Sequence, residues 1–128
     1  MKAAAVNVIL VGAGGLTGSV LRYLVSGLVH RWLPSTFPYG TLAVNVAGCL
    51  AIGFLAGVMD SRQAIGSELR LFLLIGLLGG FTTFSTFGYE TIALARVAEQ
   101  AKALANVAAH ITAGLAAVWL GIILSKAW

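Results

Sequence analysis

In a chain otherwise dominated by aliphatic residues, the run Gly79-Gly80-Phe81-Thr82-Thr83-Phe84-Ser85-Thr86-Phe87 gathers two adjacent glycines, four hydroxyl side chains and three phenylalanines. Such a run weakens a helix, because glycine loses backbone entropy on ordering and β-branched threonine loses rotamers. In hydrocarbon a broken backbone is tolerated only against protein or beside a watery cavity. The stretch therefore reads as lining a site for a small ion, with a break expected at Gly79-Gly80. Beyond the break, helical spacing puts Phe84 and Phe87 on one face and Thr83, Thr86 and Glu90 on a neighbouring polar stripe. An aromatic pair at this spacing is ordinarily core or lipid contact. The interleaved hydroxyls and the glycines just before them are what point to a site. Elsewhere Asn45, Asn106 and His110 are the polar residues that apolar segments do not ordinarily carry.

The elements that must position these residues follow from composition. The chain has 128 residues, of which 59% are hydrophobic and 9% charged, with a mean hydropathy of +0.97. Four acidic and eight basic residues cannot cover a soluble surface, so the outside must be lipid. An all-α integral membrane protein is expected, organised as a single domain over 1–128. Its four apolar spans cover about 3–29, 40–59, 71–95 and 103–124, each near the length a bilayer requires. Lys2 followed by an apolar run resembles a secretory signal, yet the run is interrupted by glycine, lacks a convincing cleavage site and precedes three equally apolar segments. The basic residues are scattered singly, which argues against nucleic acid. Cys49 is the only cysteine, so disulfides and cysteine metal sites are excluded, and it reads as a packing residue.

Inside the spans, Gly14/Gly18, Gly53/Gly57 and Gly76/Gly80 each have the spacing that lets membrane helices approach closely. Arg22 lies toward the end of the first span, where it snorkels to the interface or attracts anions at a vestibule mouth. Asn45 either bridges helices or presents its NH2 donors to a ligand. Asn106 and His110 are four apart on one face, and pairing inward with a stripe such as Thr83-Thr86-Glu90 would remove their cost in lipid. The segment from His30 to Tyr39, with its aromatic, proline and basic residues, reads as a turn at the membrane interface.

Topology adds a separate argument. With four spans both termini share a side, and Lys2, Arg62, Arg70 and Lys126 fall there, against Arg31, Arg96 and Lys102 with Arg22 near the other boundary. A fixed orientation concentrates Lys and Arg on the cytoplasmic side. This chain does not, so insertion in both orientations is expected, giving an antiparallel homodimer. Inverted repeats place their sites near the midplane where broken helices meet.

The order Gly40-Thr41-Leu42-Ala43-Val44-Asn45, then Gly79 through Phe87 with Glu90 and Thr91, resembles the Fluc (CrcB) family of fluoride channels. The similarity extends over all four spans. It implies a passive, fluoride-selective exporter in the cell inner (plasma) membrane, not an enzyme, built as an antiparallel dimer with two pores and a structural Na+ at its centre. Its partners would be a second copy of itself, the fluoride ion and membrane lipid. Carried onto this chain, the resemblance makes Phe84 and Phe87 the pore phenylalanines with Asn45 beside them, and Gly79 and Thr82 the backbone-carbonyl ligands of the cation. Thr83, Ser85 or Thr86, and Glu90 would lie near the polar track. Asn106 and His110 stand where family members often place a Tyr or Ser hydroxyl, and Arg22 matches the basic residue toward the aqueous entrance.

Two other classes fit less well. A small multidrug-type antiporter needs a membrane-embedded carboxylate in its first span, and none lies between Lys2 and Arg31. An intramembrane hydrolase using Ser85, His110 and Glu90 would lack a nucleophile elbow.

Overall fold

In a computed structural model the protein is described over residues 2–62 and 66–127. The side chains of Lys2 and Arg62, counted in the charge argument above, lie outside the described ones. Four segments are long and apolar enough to cross a membrane: Ala3–Trp32, Tyr39–Asp60, Ser67–Arg96 and Gln100–Lys126. They form α1 (Lys2–Trp32), α2 (Tyr39–Arg62), a composite third segment and α6 (Gln100–Lys126). The third comprises α3 (Ser67–Arg70), a π-helix (Leu71–Leu78), α4 (Gly79–Phe81) and α5 (Phe84–Arg96). Among the described residues there is no strand. The helices run past the expected spans at their ends. Trp32, Tyr39 and Arg96 extend them, residue types with an apolar body and a polar tip that suit the membrane boundary.

The break in the third segment is not where the glycines suggested. Gly79 is helical, with φ −62° and ψ −38°. The chain turns extended at Thr82 (φ −82°, ψ 160°) and Thr83 (φ −153°, ψ 112°). The glycines serve packing instead. A Cβ on Gly14 would lie 2.9 Å from the Gly76 Cα, and one on Gly80 2.9 Å from the Gly15 Cα. A Cβ on Gly18 would strike the Leu77 carbonyl and come within 2.8 Å of the Phe81 nitrogen. These missing side chains let α1 lie directly on the π-helix and α4, backbone against backbone.

The most extensive contact joins α2 to α6. It too is set by glycine, with Gly53 against the Val118 carbonyl, Gly57 against Ser125 and Gly121 between Leu50 and Phe54. Val44, Val58 and Met59 on α2 and Ala103 and Ala117 on α6 are buried, as is Leu78 at the end of the π-helix. Hydroxyls exposed on the helices satisfy themselves locally: Thr17 Oγ1 donates to the Ala13 carbonyl at 2.9 Å and Thr112 Oγ1 to Ala108 at 2.7 Å.

Helix α5 ends in a tight reversal. Ala98 N–H bonds the Ala95 carbonyl at 3.3 Å and Glu99 N–H the Leu94 carbonyl at 3.0 Å, while Ala98 takes φ 63°. This is the paired-bond helix ending that glycine normally occupies, because a Cβ in the left-handed region is strained. Ala98→Gly should stabilise the detergent-solubilised protein by about 1 kcal/mol, read as a higher melting temperature. Gly18→Ala should cost about 1–3 kcal/mol through overpacking. Gly15→Ala, whose Cβ would meet nothing nearer than 3.9 Å, should be close to neutral in the same melt.

Candidate functional site

The site is built at the Thr82–Thr83 break. Leaving the helix strips several backbone groups of their usual partners, and side chains replace them. Thr82 N–H and Oγ1 both donate to the Leu78 carbonyl, at 3.0 and 2.9 Å, closing α4. Thr83 begins α5 as its cap: its Oγ1 accepts from Thr86 N–H at 3.2 Å and donates to Thr86 Oγ1 at 2.9 Å. Ser85 Oγ joins this hydroxyl cluster at 3.3 Å from Thr83 Oγ1.

The remaining polar groups of the break are held from α2. Thr83 N–H donates to Asn45 Oδ1 at 2.8 Å, and Asn45 Nδ2 donates to the Thr83 carbonyl at 3.0 Å. One amide side chain thus pairs with both backbone polar groups of one residue, the N–H of the peptide before Thr83 and the C=O of the peptide after it. These bonds are the bridge that one reading of Asn45 expected, and since an amide nitrogen carries two hydrogens one remains for the space beside it.

That space is a cleft of about 420 Å³ whose lining includes Asn45, Gly79, Thr82, Phe84, Phe87 and His110. The rings of Phe84 and Phe87 are 5.4 Å apart between centroids and tilted by 56°. Phe87 also lies against the His110 imidazole at 4.3 Å. Phe84 is 83% exposed, so one wall of the cleft is open. No residue of α5 is buried.

The other residues singled out from sequence fall in different places. Ser85 and Thr86 are exposed and serve the cap rather than the cleft wall. Asn106 is 0% exposed and lies behind the wall, its Nδ2 donating to Thr91 Oγ1 at 2.8 Å. Thr91, which in turn donates to the Phe87 carbonyl at 2.8 Å, is the inward partner of Asn106. His110 Nδ1 lies 3.0 Å from the Asn106 carbonyl oxygen. Glu90 Oε1 accepts from Thr41 Oγ1 at 2.8 Å. Ser85, His110 and Glu90 are therefore each engaged elsewhere, and no catalytic relay joins them. Thr41, buried at the start of α2, was missed as a polar partner; its signal was only its position one helical turn before Asn45.

Arg22 reaches across from α1, with Nη1 3.5 Å from the Thr82 carbonyl. It lines a separate polar groove with Ser19, Ser26 and His30. The break takes the ordinary helical donors from a run of carbonyls that includes those of Gly79 and Thr82. The Thr83 N–H that would serve Gly79 goes to Asn45, and the Thr86 N–H that would serve Thr82 goes to Thr83 Oγ1. Among the described residues no group of three His, Cys, Asp or Glu is placed to hold a metal ion, so carbonyl oxygens are the hard ligands on offer.

Comparison with known proteins places the chain. Residues 9–122 match the family profile described as CrcB-like protein, Camphor Resistance (CrcB). A protein of Methylobacillus flagellatus named fluoride-specific ion channel FluC is 46% identical over 121 residues, 94% of both chains. Proteins with the same name from Chlorobaculum tepidum and Nitratidesulfovibrio vulgaris are 46% and 43% identical, covering 95% and 91% of this chain and 96% and 94% of their own. With four apolar segments long enough to span a bilayer and a match over nearly its whole length, this multi-pass membrane protein belongs to the CrcB-like family.

Proposed function

We propose that the protein is a fluoride-selective channel, not an enzyme, giving passive export of F− across the cell inner (plasma) membrane. The observation that carries this reading is the cleft at the Thr82–Thr83 break, where a tilted phenylalanine pair and the Asn45 amide meet, in a chain whose relatives are named fluoride-specific ion channels. Fluoride is small and strongly hydrated, so a pore must offer donors in place of water. Asn45 Nδ2 keeps one hydrogen for this, and the Thr83, Ser85 and Thr86 hydroxyl cluster lies close by, with Thr83 donating to Thr86 and the Thr86 hydroxyl left as a donor. Phe84 and Phe87 would offer an anion their ring edges, which carry the positive end of the quadrupole. Such sites attract an anion without binding it so firmly that it cannot leave.

The functional unit is an antiparallel homodimer with two pores. The monomer exposes 8191 Å², whereas a compact chain of its mass exposes about 6,400 Å². Lipid covers part of the excess, and an inverted second copy closes the open wall at Phe84. At the dimer centre the Gly79 and Thr82 carbonyls of both copies would hold a structural Na+. Each is free of its helical donor, and Arg22 at 3.5 Å occupies one lone pair of Thr82 and leaves the other. The cation would place fixed positive charge near the anion path. Arg22 also draws anions toward the mouth of that path.

In proteoliposomes, Phe84→Ile and Phe87→Ile should each reduce fluoride efflux to that of protein-free vesicles while the purified variants still elute as dimers. Unchanged efflux in both would contradict the pore assignment. Asn45→Asp keeps an acceptor for Thr83 N–H but loses the donor and adds a negative charge. It should destabilise the fold by about 1–3 kcal/mol and lower efflux by at least about tenfold, the loss that 1.4 kcal/mol of added barrier gives. Full efflux in this variant would show that Asn45 serves the fold alone.

A further inference from the structure

Where α5 meets α6, three polar atoms are buried without a hydrogen-bond partner: Glu90 Oε2, Asn106 Oδ1 and His110 Nε2. An amide oxygen and an ionised carboxylate oxygen only accept. The third is fixed by its own ring. His110 Nδ1 faces the Asn106 carbonyl oxygen at 3.0 Å; that oxygen only accepts, so Nδ1 holds the ring proton and Nε2 of the neutral imidazole is a bare lone pair. The three unpartnered atoms of the layer are then all acceptors. Placed behind a cleft that is to take an anion, it is repulsive.

A proton on Nε2 reverses that. It turns one acceptor into a donor and puts a unit positive charge in the wall, against the Phe87 ring at 4.3 Å, where a cation and an aromatic face attract. His110 lines the same cleft as Asn45, Phe84 and Phe87. Asn106 does not reach it, being wholly buried with its amide nitrogen committed to Thr91. Nε2 is itself covered, so its proton acts on the cleft through charge across a poorly screening wall.

From this geometry we propose that His110 is a proton-operated switch in the fourth-span wall, opposing anions when neutral and admitting them when protonated. The proposal rests on the channel reading above. The titratable groups that face His110 are Glu90 on α5, whose charge reaches it, and Cys49 on α2, which lines the same cleft. From α1, His30 acts on Glu90 and Arg22 stands at the Thr82 carbonyl. On α6 itself Lys102 and Lys126 lie toward the two ends.

The test is fluoride efflux from proteoliposomes held at equal internal and external pH, with protein-free vesicles subtracted at each pH. Histidine as a residue type changes charge in the physiological range, so initial efflux by the native protein should rise at least about threefold from about pH 8 to about pH 6. The rise should vanish in His110→Gln and in His110→Phe, each checked for dimer assembly by size exclusion. Efflux that is present but flat with pH in the native protein overturns the switch and leaves the channel reading standing. A slope that persists in both variants also overturns it, assigning the titration to another group, Glu90 first. No native efflux at any pH overturns the channel reading instead. Should neither variant assemble, the native profile alone still decides against the switch if it is flat.

Discussion

The structure depends on a single reciprocal interaction, the pairing of the Asn45 side-chain amide with the backbone N–H and C=O of Thr83 at 2.8 and 3.0 Å. A helix that opens inside a membrane leaves N–H and C=O groups with no water to take them, and each unsatisfied group is costly. A side-chain amide matches a peptide because it carries one donor edge and one acceptor edge. Asn45 therefore stabilises the break and, by standing beside it, brings its spare N–H to the cleft. The polar group that makes the irregular backbone tolerable is also the one an arriving anion would meet.

Everything around the break keeps that pair in register. Glycine at 14, 18, 76 and 80 lets α1 press against the π-helix and α4, which fixes the upstream end of the break. Glycine at 53, 57 and 121 seats α2 closely on α6, which fixes the helix carrying Asn45 against the helix carrying His110. The downstream helix is held more lightly. It relies on the Thr83 cap, the Thr91 to Asn106 hydrogen bond and the Phe87 to His110 contact, and it leaves Phe84 exposed. Under the proposed dimer that exposed ring is the natural boundary between two copies.

Much of this was legible in the residues. Composition and hydropathy placed four spans, because lipid solvation imposes a long apolar run that few other constraints produce. The glycine pairs marked close helix contacts, and helical spacing put Phe84 beside Phe87. The location of the break was not legible. Local propensity pointed to Gly79-Gly80, but those glycines stay helical and pack, while the chain opens at Thr82 and Thr83. What decides is a partner 38 positions away in sequence, since Asn45 offers the Thr83 peptide an alternative to the helical ladder. The Thr41 to Glu90 and Thr91 to Asn106 pairs were hidden for the same reason: each is a long-range or cross-helix match in which the threonine does not stand out in its own segment. The π-helix has no signature in an evenly apolar run, and Ala98 conceals a helix ending that glycine would have announced.

The central claim is that this break, with amide and hydroxyl donors and aromatic edges in place of fixed charge, passes fluoride and rejects larger halides. Parallel recording with fluoride and chloride electrodes on liposomes containing the purified native protein tests it most directly. The account predicts prompt fluoride release with chloride release no greater than from protein-free vesicles. Chloride release comparable to fluoride, or no fluoride release from vesicles shown to contain folded protein, would contradict it.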